Sequence, residues 1–392
     1  MSPFEQQRDH LAQEMDRAEL WPERSPWIRR AVELRPRHDF APDQLWVWEG
    51  HAYTPVERGL DERRWAEVVY GGPYEPTVTQ VTVGLASSSL SCCSVVADML
   101  DSLKLEAGHQ VLELGTATGW NAALLDHRAG PGRVTSLELD AELAAAARTN
   151  LDAAGAQVRV EVADGAAGCP DGAPYDRLIA TYAVDRIPWA WVQQVRPGGR
   201  IVTPWGRLGH LALTVAEDGA SATGWVQGLA MFMPSRTAEP PLAFEQIRRG
   251  RAPQHEHIVD RDVRSLTDDP HLRFALRVAL PEVRITATGE RLLELHDDAD
   301  SWATLTGPAG DSAGTAAVAR QGGPRHLVAE VEDAWDEWLG HGSPELYDYG
   351  LTVTDAGRQQ YAWAWDRSDG PRWPLPDPEA RRPVTEAATA TR

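Results

Sequence analysis

Between residues 111 and 204 the chain alternates short apolar runs with helix-forming runs, and this alternation limits the fold more than any other feature. Residues 111–114, 134–138, 158–162, 175–181 and 200–204 read as strands. Residues 120–125 and the Ala/Leu-rich stretch 141–154 read as helices between them. Strands joined by helical crossovers pair in parallel, and such crossovers are right-handed. The pattern therefore predicts an α/β fold with a parallel, Rossmann-like sheet.

At 392 residues the chain is too long for one ordinary domain. Residues 1–80 are rich in Trp, Arg and Pro, and Ile28, Ala31, Val32 and Leu34 suggest an amphipathic helical turn or two. We expect an N-terminal helical, substrate-side segment at 1–80, the α/β domain at 81–235 and an α+β accessory domain at 240–375. Residues 376–392 offer little to bury and are expected to be disordered.

Charge narrows the partners. Thirty-eight basic against 58 acidic residues leave −20, a field that repels nucleic acid and anionic membranes. No run approaches the roughly 20 apolar residues of a membrane span. The opening MSPFEQQRDH lacks a basic-then-apolar leader, so a cytoplasmic location is expected. Three cysteines (Cys92, Cys93, Cys169) are too few for a disulfide framework.

In open parallel sheets the ligand lies beyond the carboxyl ends of the strands. Three features fall there. Glu113 to Gly119 form E-x-G-x-x-x-G, whose small residues let the backbone approach a ligand. Glu138 closes the second strand, where a carboxylate can accept hydrogen bonds from two ribose hydroxyls. Asp164-Gly165 closes the third and can hold an adenine edge. A glycine turn or a strand-end acid is alone a weak signal; in this order and spacing they indicate a nucleoside site. A pyrophosphate dinucleotide would want G-x-G-x-x-G, whereas here Gly115 is followed by Thr116-Ala117-Thr118-Gly119.

The stretch resembles motif I of class I S-adenosylmethionine-dependent methyltransferases. Resemblance to one family, the protein-L-isoaspartate O-methyltransferases, covers roughly residues 25–235. It is carried by Arg37-His38-Asp39-Phe40-Ala41-Pro42, Val69-Tyr70-Gly71-Gly72, Thr77-Val78-Thr79-Gln80, residues 91–100, Asp164-Gly165, Ala173-Pro174-Tyr175-Asp176, Ile187-Pro188 and Pro197-Gly198-Gly199-Arg200. The resemblance implies a class I methyltransferase sheet with S-adenosyl-L-methionine as cofactor. It implies cofactor binding by Glu113, Gly115, Thr116, Gly119, Glu138, Asp164 and Gly165. Ser91 matches the family's active-site serine, with Ser89 and Thr181 on the substrate side. Ser91 could instead cap the helix that ends near Leu103. Cys92-Cys93 stands where the family has Gln-Pro, and both thiols read as small apolar residues.

A carboxylate acceptor, ionised at neutral pH, needs no general base. The implied enzyme esterifies a peptide carboxylate, and the ester collapses to a succinimide. The added length resembles extended members associated with ribosomally made, modified peptides, so our first expectation is an aspartate of a precursor peptide, cyclised beforehand and ending as aspartimide. General isoaspartyl repair is the alternative. An RNA adenine methyltransferase and a cofactor-binding protein without activity are further readings; strong charge opposes the first.

In the C-terminal block, Val328, Val331, Trp335 and Trp338 share one face of an acidic amphipathic helix. His255 and His257 lie two apart without a third ligand, so no metal site is expected. Trp363 and Trp365 are expected on one strand face in the core. Oligomeric state is not legible.

Overall fold

A computed structural model describes residues 2–206, 208–238, 242–289, 291–307, 316–354, 359–366 and 368–376. The chain divides into two compact units, Met1–Ala238 and Glu239–Arg392.

The first unit opens with α1 (Pro3–Arg17), whose N-terminus is closed by a reciprocal pair: Ser2 Oγ accepts from Glu5 N–H, and Glu5 accepts from Ser2 N–H. Then follow α2 (Trp27–Leu34), β1 (Gln44–Trp48), β2 (Tyr53–Glu57), α3 (Glu62–Val69), β3 (Thr77–Thr82) and β4 (Leu85–Leu90). The segment 1–80 is thus not only helical. β1 to β4 form a four-stranded antiparallel sheet in the order β2-β1-β3-β4. The helical expectation missed it because these strands bury few apolar residues and pair mainly through hairpins, Gln44 with Glu57 through Trp48 with Tyr53.

Next come α4 (Cys93–Leu103), β5 (Val111–Leu114), α5 (Trp120–Ala129), β6 (Val134–Glu138), α6 (Ala141–Ala153), β7 (Val158–Val162), β8 (Tyr175–Ala180), α7 (Trp189–Gln194), β9 (Val195–Trp205), β10 (Gly209–Val215) and β11 (Ser221–Leu229). In this unit they pair in the order β11-β10-β9-β8-β5-β6-β7. The pairs from β9 to β7 are parallel, and β9·β10 and β10·β11 are antiparallel. This is the class I methyltransferase-type α/β sheet. From β5 the chain moves outward through β6 and β7, then returns to β8 on the other side, so the order reverses between β5 and β8. Loops leaving those two strands part there and open a crevice. All four residues of β5 are buried, as expected for a strand covered on both faces. One core runs from Leu11 and Met15 through Trp65, Leu100 and Trp120 to Val202 and Ala212, so residues 1–80 pack with the domain that follows.

The second unit holds α8 (Phe244–Arg248), β12 (His255–Val259), α9 (Ser265–Asp268), α10 (Pro270–Ala279), β13 (Arg284–Ala287), β14 (Leu292–His296), β15 (Trp302–Thr306), β16 (Ala317–Gly322), α11 (Leu327–Gly340), β17 (Tyr349–Thr354), β18 (Gln359–Ala364) and β19 (Arg372–Pro374). β12 to β16 make an antiparallel sheet in the order β12-β16-β15-β14-β13. Val328, Val331 and Trp335 of α11 are buried in its core, with Trp338 packed alongside, so the expected apolar face is internal. Trp363 is buried in β18, but Trp365 is not its partner on that face. It lies past the strand's end at φ 64°, 47% exposed, with its indole N–H donating to His341 O. No group of His, Cys, Asp and Glu able to hold a metal occurs among the described residues. No described helix is long and apolar enough to cross a membrane. Of the segment expected to be disordered, 377–392 lies outside the described residues.

Candidate active site

The loop after β5 turns at Gly115, φ +95°, a conformation L side chains rarely adopt. A Cβ there would also collide with Thr181 Oγ1 and sit 3.1 Å from Tyr182 Cδ1. The chain after β8 therefore passes directly against the glycine, and Thr181 Oγ1 donates to Gly115 O at 2.6 Å. Gly119, φ +88°, starts α5 and lets Ala147 and Leu151 of α6 pack close to the loop.

Glu113 lies inside the protein, fully buried. Asn121 Nδ2 donates to its Oε1 at 2.8 Å and Ser136 Oγ donates to its Oε2. Thr116 Oγ1 bonds Ser136 Oγ at 2.6 Å, so Glu113 and Thr116 brace the glycine loop from beneath. Burial pushes the Glu113 carboxyl up to about 7; the bonds from Ser136 and Asn121 pull the other way.

Glu138, at the end of β6, is 6% exposed and pairs with no base among the described residues. Ala117 N–H donates to its Oε2 at 2.8 Å and Asp140 N–H to its Oε1 at 3.1 Å. Each oxygen keeps a lone pair for a further donor. Asp140 caps α6, taking the N–H groups of Glu142 and Leu143. Asp164, exposed at the end of β7, accepts from Ala166 N–H, and Gly165 O accepts from the Trp191 indole at 2.8 Å. Tyr182 reaches from Gly115 to Gly165, since a Cβ on either would meet its ring or hydroxyl.

β4 runs into Ser91. The helix cap is Cys92, not Ser91, and its side chain makes no capping bond. The Ser91 hydroxyl has no hydrogen bond among the described residues, so the capping alternative fails. Its carbonyl is held by Arg37 Nη1 at 2.7 Å. Arg37 is 2% exposed and also donates to Val69 O and Thr77 Oγ1, while its guanidinium sits 4.7 Å from the centre of the Trp120 ring. One buried cation with only neutral partners thus joins the Ser91 turn to the first residue of α5. Cys93 is 1% exposed and burial pushes its thiol up to about 11, so it is an apolar core residue. Ser89 faces Val78 in the ladder, half-buried. Thr181, expected on the substrate side, uses its hydroxyl to hold the Gly115 turn.

Two contributors were missed from sequence. Arg37 lay in a quoted motif, but its burial against Ser91 is set across 54 residues of chain. Arg236 gave no signal: Nη1 bonds Asp140 Oδ2 at 3.0 Å, and Nη2 bonds Gln80 Oε1 at 2.8 Å and Ser87 O at 2.7 Å.

Residues 56–235 match the family model for protein-L-isoaspartate(D-aspartate) O-methyltransferase. A protein-L-isoaspartate O-methyltransferase of Hyperthermus butylicus is 34% identical over 209 residues, 50% of this chain and 76% of that protein. The chain belongs to the protein-L-isoaspartate O-methyltransferase family. The enzyme of the same name from Pyrococcus abyssi is 42% identical over 122 residues, 31% of this chain and 56% of that protein. The chain thus spans little more than half of that relative's length. A solved protein-L-isoaspartate O-methyltransferase superposes with a TM-score of 0.44 at 18% identity, covering 89% of this chain and 96% of that one.

The family's enzymes are S-adenosylmethionine-dependent carboxyl O-methyltransferases, and the cofactor here is S-adenosyl-L-methionine. The strand-end residues fit it. Glu138 keeps a spare acceptor position on each oxygen of a buried carboxylate, a chemistry suited to a pair of hydroxyls, and Gly115 and Gly119 leave the two ends of the loop without side chains. Asp164 stands exposed just past the end of the next strand.

Proposed function

We propose that this chain methylates the free α-carboxylate of isoaspartyl residues in peptides and proteins, with Ser91 orienting the acceptor. The observation that carries this reading is the uncommitted Ser91 hydroxyl just before α4, on a residue whose backbone carbonyl Arg37 ties to the end of the glycine loop. When bound, S-adenosyl-L-methionine supplies a methyl carbon on a positively charged sulfur, to which a carboxylate oxygen bonds as the carbon–sulfur bond breaks and its electron pair stays on sulfur.

The protein's part is placement and exclusion of water. A carboxylate of pKa about 4 is already ionised at pH 7, so no side chain has to remove a proton. The Ser91 hydroxyl can donate to one carboxylate oxygen and leave the other free to react. The positive end of α4 and the charge of buried Arg37 favour an anion at that turn. Glu138, Asp164 and Gly165 would hold the nucleoside; Glu113, Thr116 and Thr181 would keep the loop in shape.

Isoaspartyl repair takes the place of the precursor-peptide reading that the sequence put first, because the relatives that match are named for isoaspartate. The narrower reading, an aspartate of a modified precursor peptide ending as aspartimide, draws on one observation. The unit Glu239–Arg392 lies beyond the matched residues 56–235 and has its own sheet and core. The test is to incubate the purified chain with cofactor and paired peptides that differ only in isoaspartate against aspartate. Methyl ester on the isoaspartyl peptide, followed by loss of methanol, is expected; ester on neither peptide refutes the proposal.

A further inference from the structure

The ladder of the β3–β4 hairpin is interrupted twice. Thr79 is skipped between the pairs Val78–Ser89 and Gln80–Ser88, and Ser87 is skipped between Gln80–Ser88 and Val81–Ala86. Two bulges facing one another make a hinge. Beyond it, Val83 is 96% exposed and Leu85 69%, so burial does not anchor the tip. At the hinge itself Arg236 bonds Gln80 Oε1 and Ser87 O, and Ser87 Oγ adds a bond to the same Gln80 oxygen.

The other end of the guanidinium meets the cofactor side. Arg236 Nη1 bonds Asp140 Oδ2, and Asp140 N–H bonds Glu138 Oε1. Arg236 is placed there by its own segment: Ala183 N–H donates to Met233 O and Ser235 N–H to Ala183 O, next to Thr181 and Tyr182. The guanidinium bonds both the acid turn after β6 and the hinge of the hairpin that leads into Ser91, and the Gln80 side chain adds a direct bond to Asp140 beside it. Its planar fork suits this, since several donors act at once in fixed directions.

We propose that Arg236 is a positioning residue that couples the two halves of the site, so that filling the nucleoside side closes the β3–β4 hairpin over the acceptor side. This rests on the reading above, in which Glu138 takes the cofactor and the chain around Ser91 takes the peptide. Order imposed on the Glu138–Asp140 turn is passed through Arg236 to a hinge that has two positions, tied and free. Coupling of this kind is reciprocal, so the peptide must tighten the cofactor by the same factor.

The test measures affinity for a short isoaspartyl peptide with and without saturating S-adenosyl-L-homocysteine, which has no methyl to transfer. In the natural chain the homocysteine compound is expected to tighten the peptide roughly fivefold or more. In Arg236→Met, of similar length but without donors, the ratio falls toward one while each ligand still binds, and Arg236→Lys falls between because a compact ammonium cannot span the two sides that Nη1 and Nη2 reach separately. Calorimetric binding of the homocysteine compound shows that each variant is folded. A ratio of one in the natural chain, or an unchanged ratio in Arg236→Met, overturns the proposal. Failure of the natural chain to esterify the same peptide strikes the proposed function instead, and is read separately from the ratio.

Discussion

Replacing Glu113 by Gln tests how the glycine loop is braced. The carboxyl is fully buried, receives bonds from Asn121 and Ser136, and faces no base among the described residues. Its pKa is raised from 4.5 to about 7, chiefly by burial. Between those values the folded state holds more protons than the unfolded one, so this group's contribution falls as pH rises from 4.5 to 7 and is flat above. At about 1.4 kcal/mol per unit, moving from pH 5 to pH 8.5 costs the natural chain about 2 to 3 kcal/mol through this one carboxyl. An amide does not titrate. It can still accept from Asn121, and its NH2 can donate to Ser136 Oγ if that hydroxyl turns toward Thr116. Urea unfolding followed by tryptophan fluorescence at pH 5 and 8.5, for both proteins, gives the comparison. The natural chain should lose about 2 to 3 kcal/mol more than Glu113→Gln over that interval. Equal losses would show that Glu113 enters the fold already charged, and the reasoning would be wrong.

Ser91→Ala should leave thermal stability unchanged, because the hydroxyl caps nothing, and lower kcat/KM for an isoaspartyl peptide about tenfold in a methyl-ester assay. Glu138→Gln should weaken S-adenosyl-L-homocysteine about tenfold or more by calorimetry, since a ribose hydroxyl then meets an amide rather than a carboxylate. His210 is fully buried, and burial lowers its pKa from 6.5 to about 4. The unfolded chain therefore takes up the proton first, so stability should fall as pH drops from 6.5 toward 4. His210→Gln should flatten that limb of the pH–stability curve; a limb that keeps its slope would reject the assignment.

The class of fold could be read before any coordinates because it depends on local periodicity. β6 and β7 span the residues that their apolar runs marked, α6 follows the Ala/Leu run, and the buried face of α11 follows from 3.6-residue spacing. The strand ends could be located for the same reason, and with them Gly115, Glu138 and Asp164. The hairpins of residues 44–90 were not visible, since their strands bury few apolar residues and are held by pairing across the ladder, which leaves no apolar run to read. Trp365 had the alternation of a strand residue, but the chain leaves the sheet at that point and the ring comes to rest half outside.

What the sequence determined alone is the sheet, the order of its loops and the chemistry each loop can present, because these depend on near neighbours in the chain. Only the tertiary structure decided what those side chains touch. It put Glu113 under the loop, left the Ser91 hydroxyl uncommitted, buried Arg37 between Ser91 and Trp120, and brought Arg236 to Asp140 and Ser87. Apart from the bonds of Glu113 to Asn121 and Ser136, these contacts join residues about 50 to 150 positions apart, which depends on how whole elements pack, and no local pattern records them.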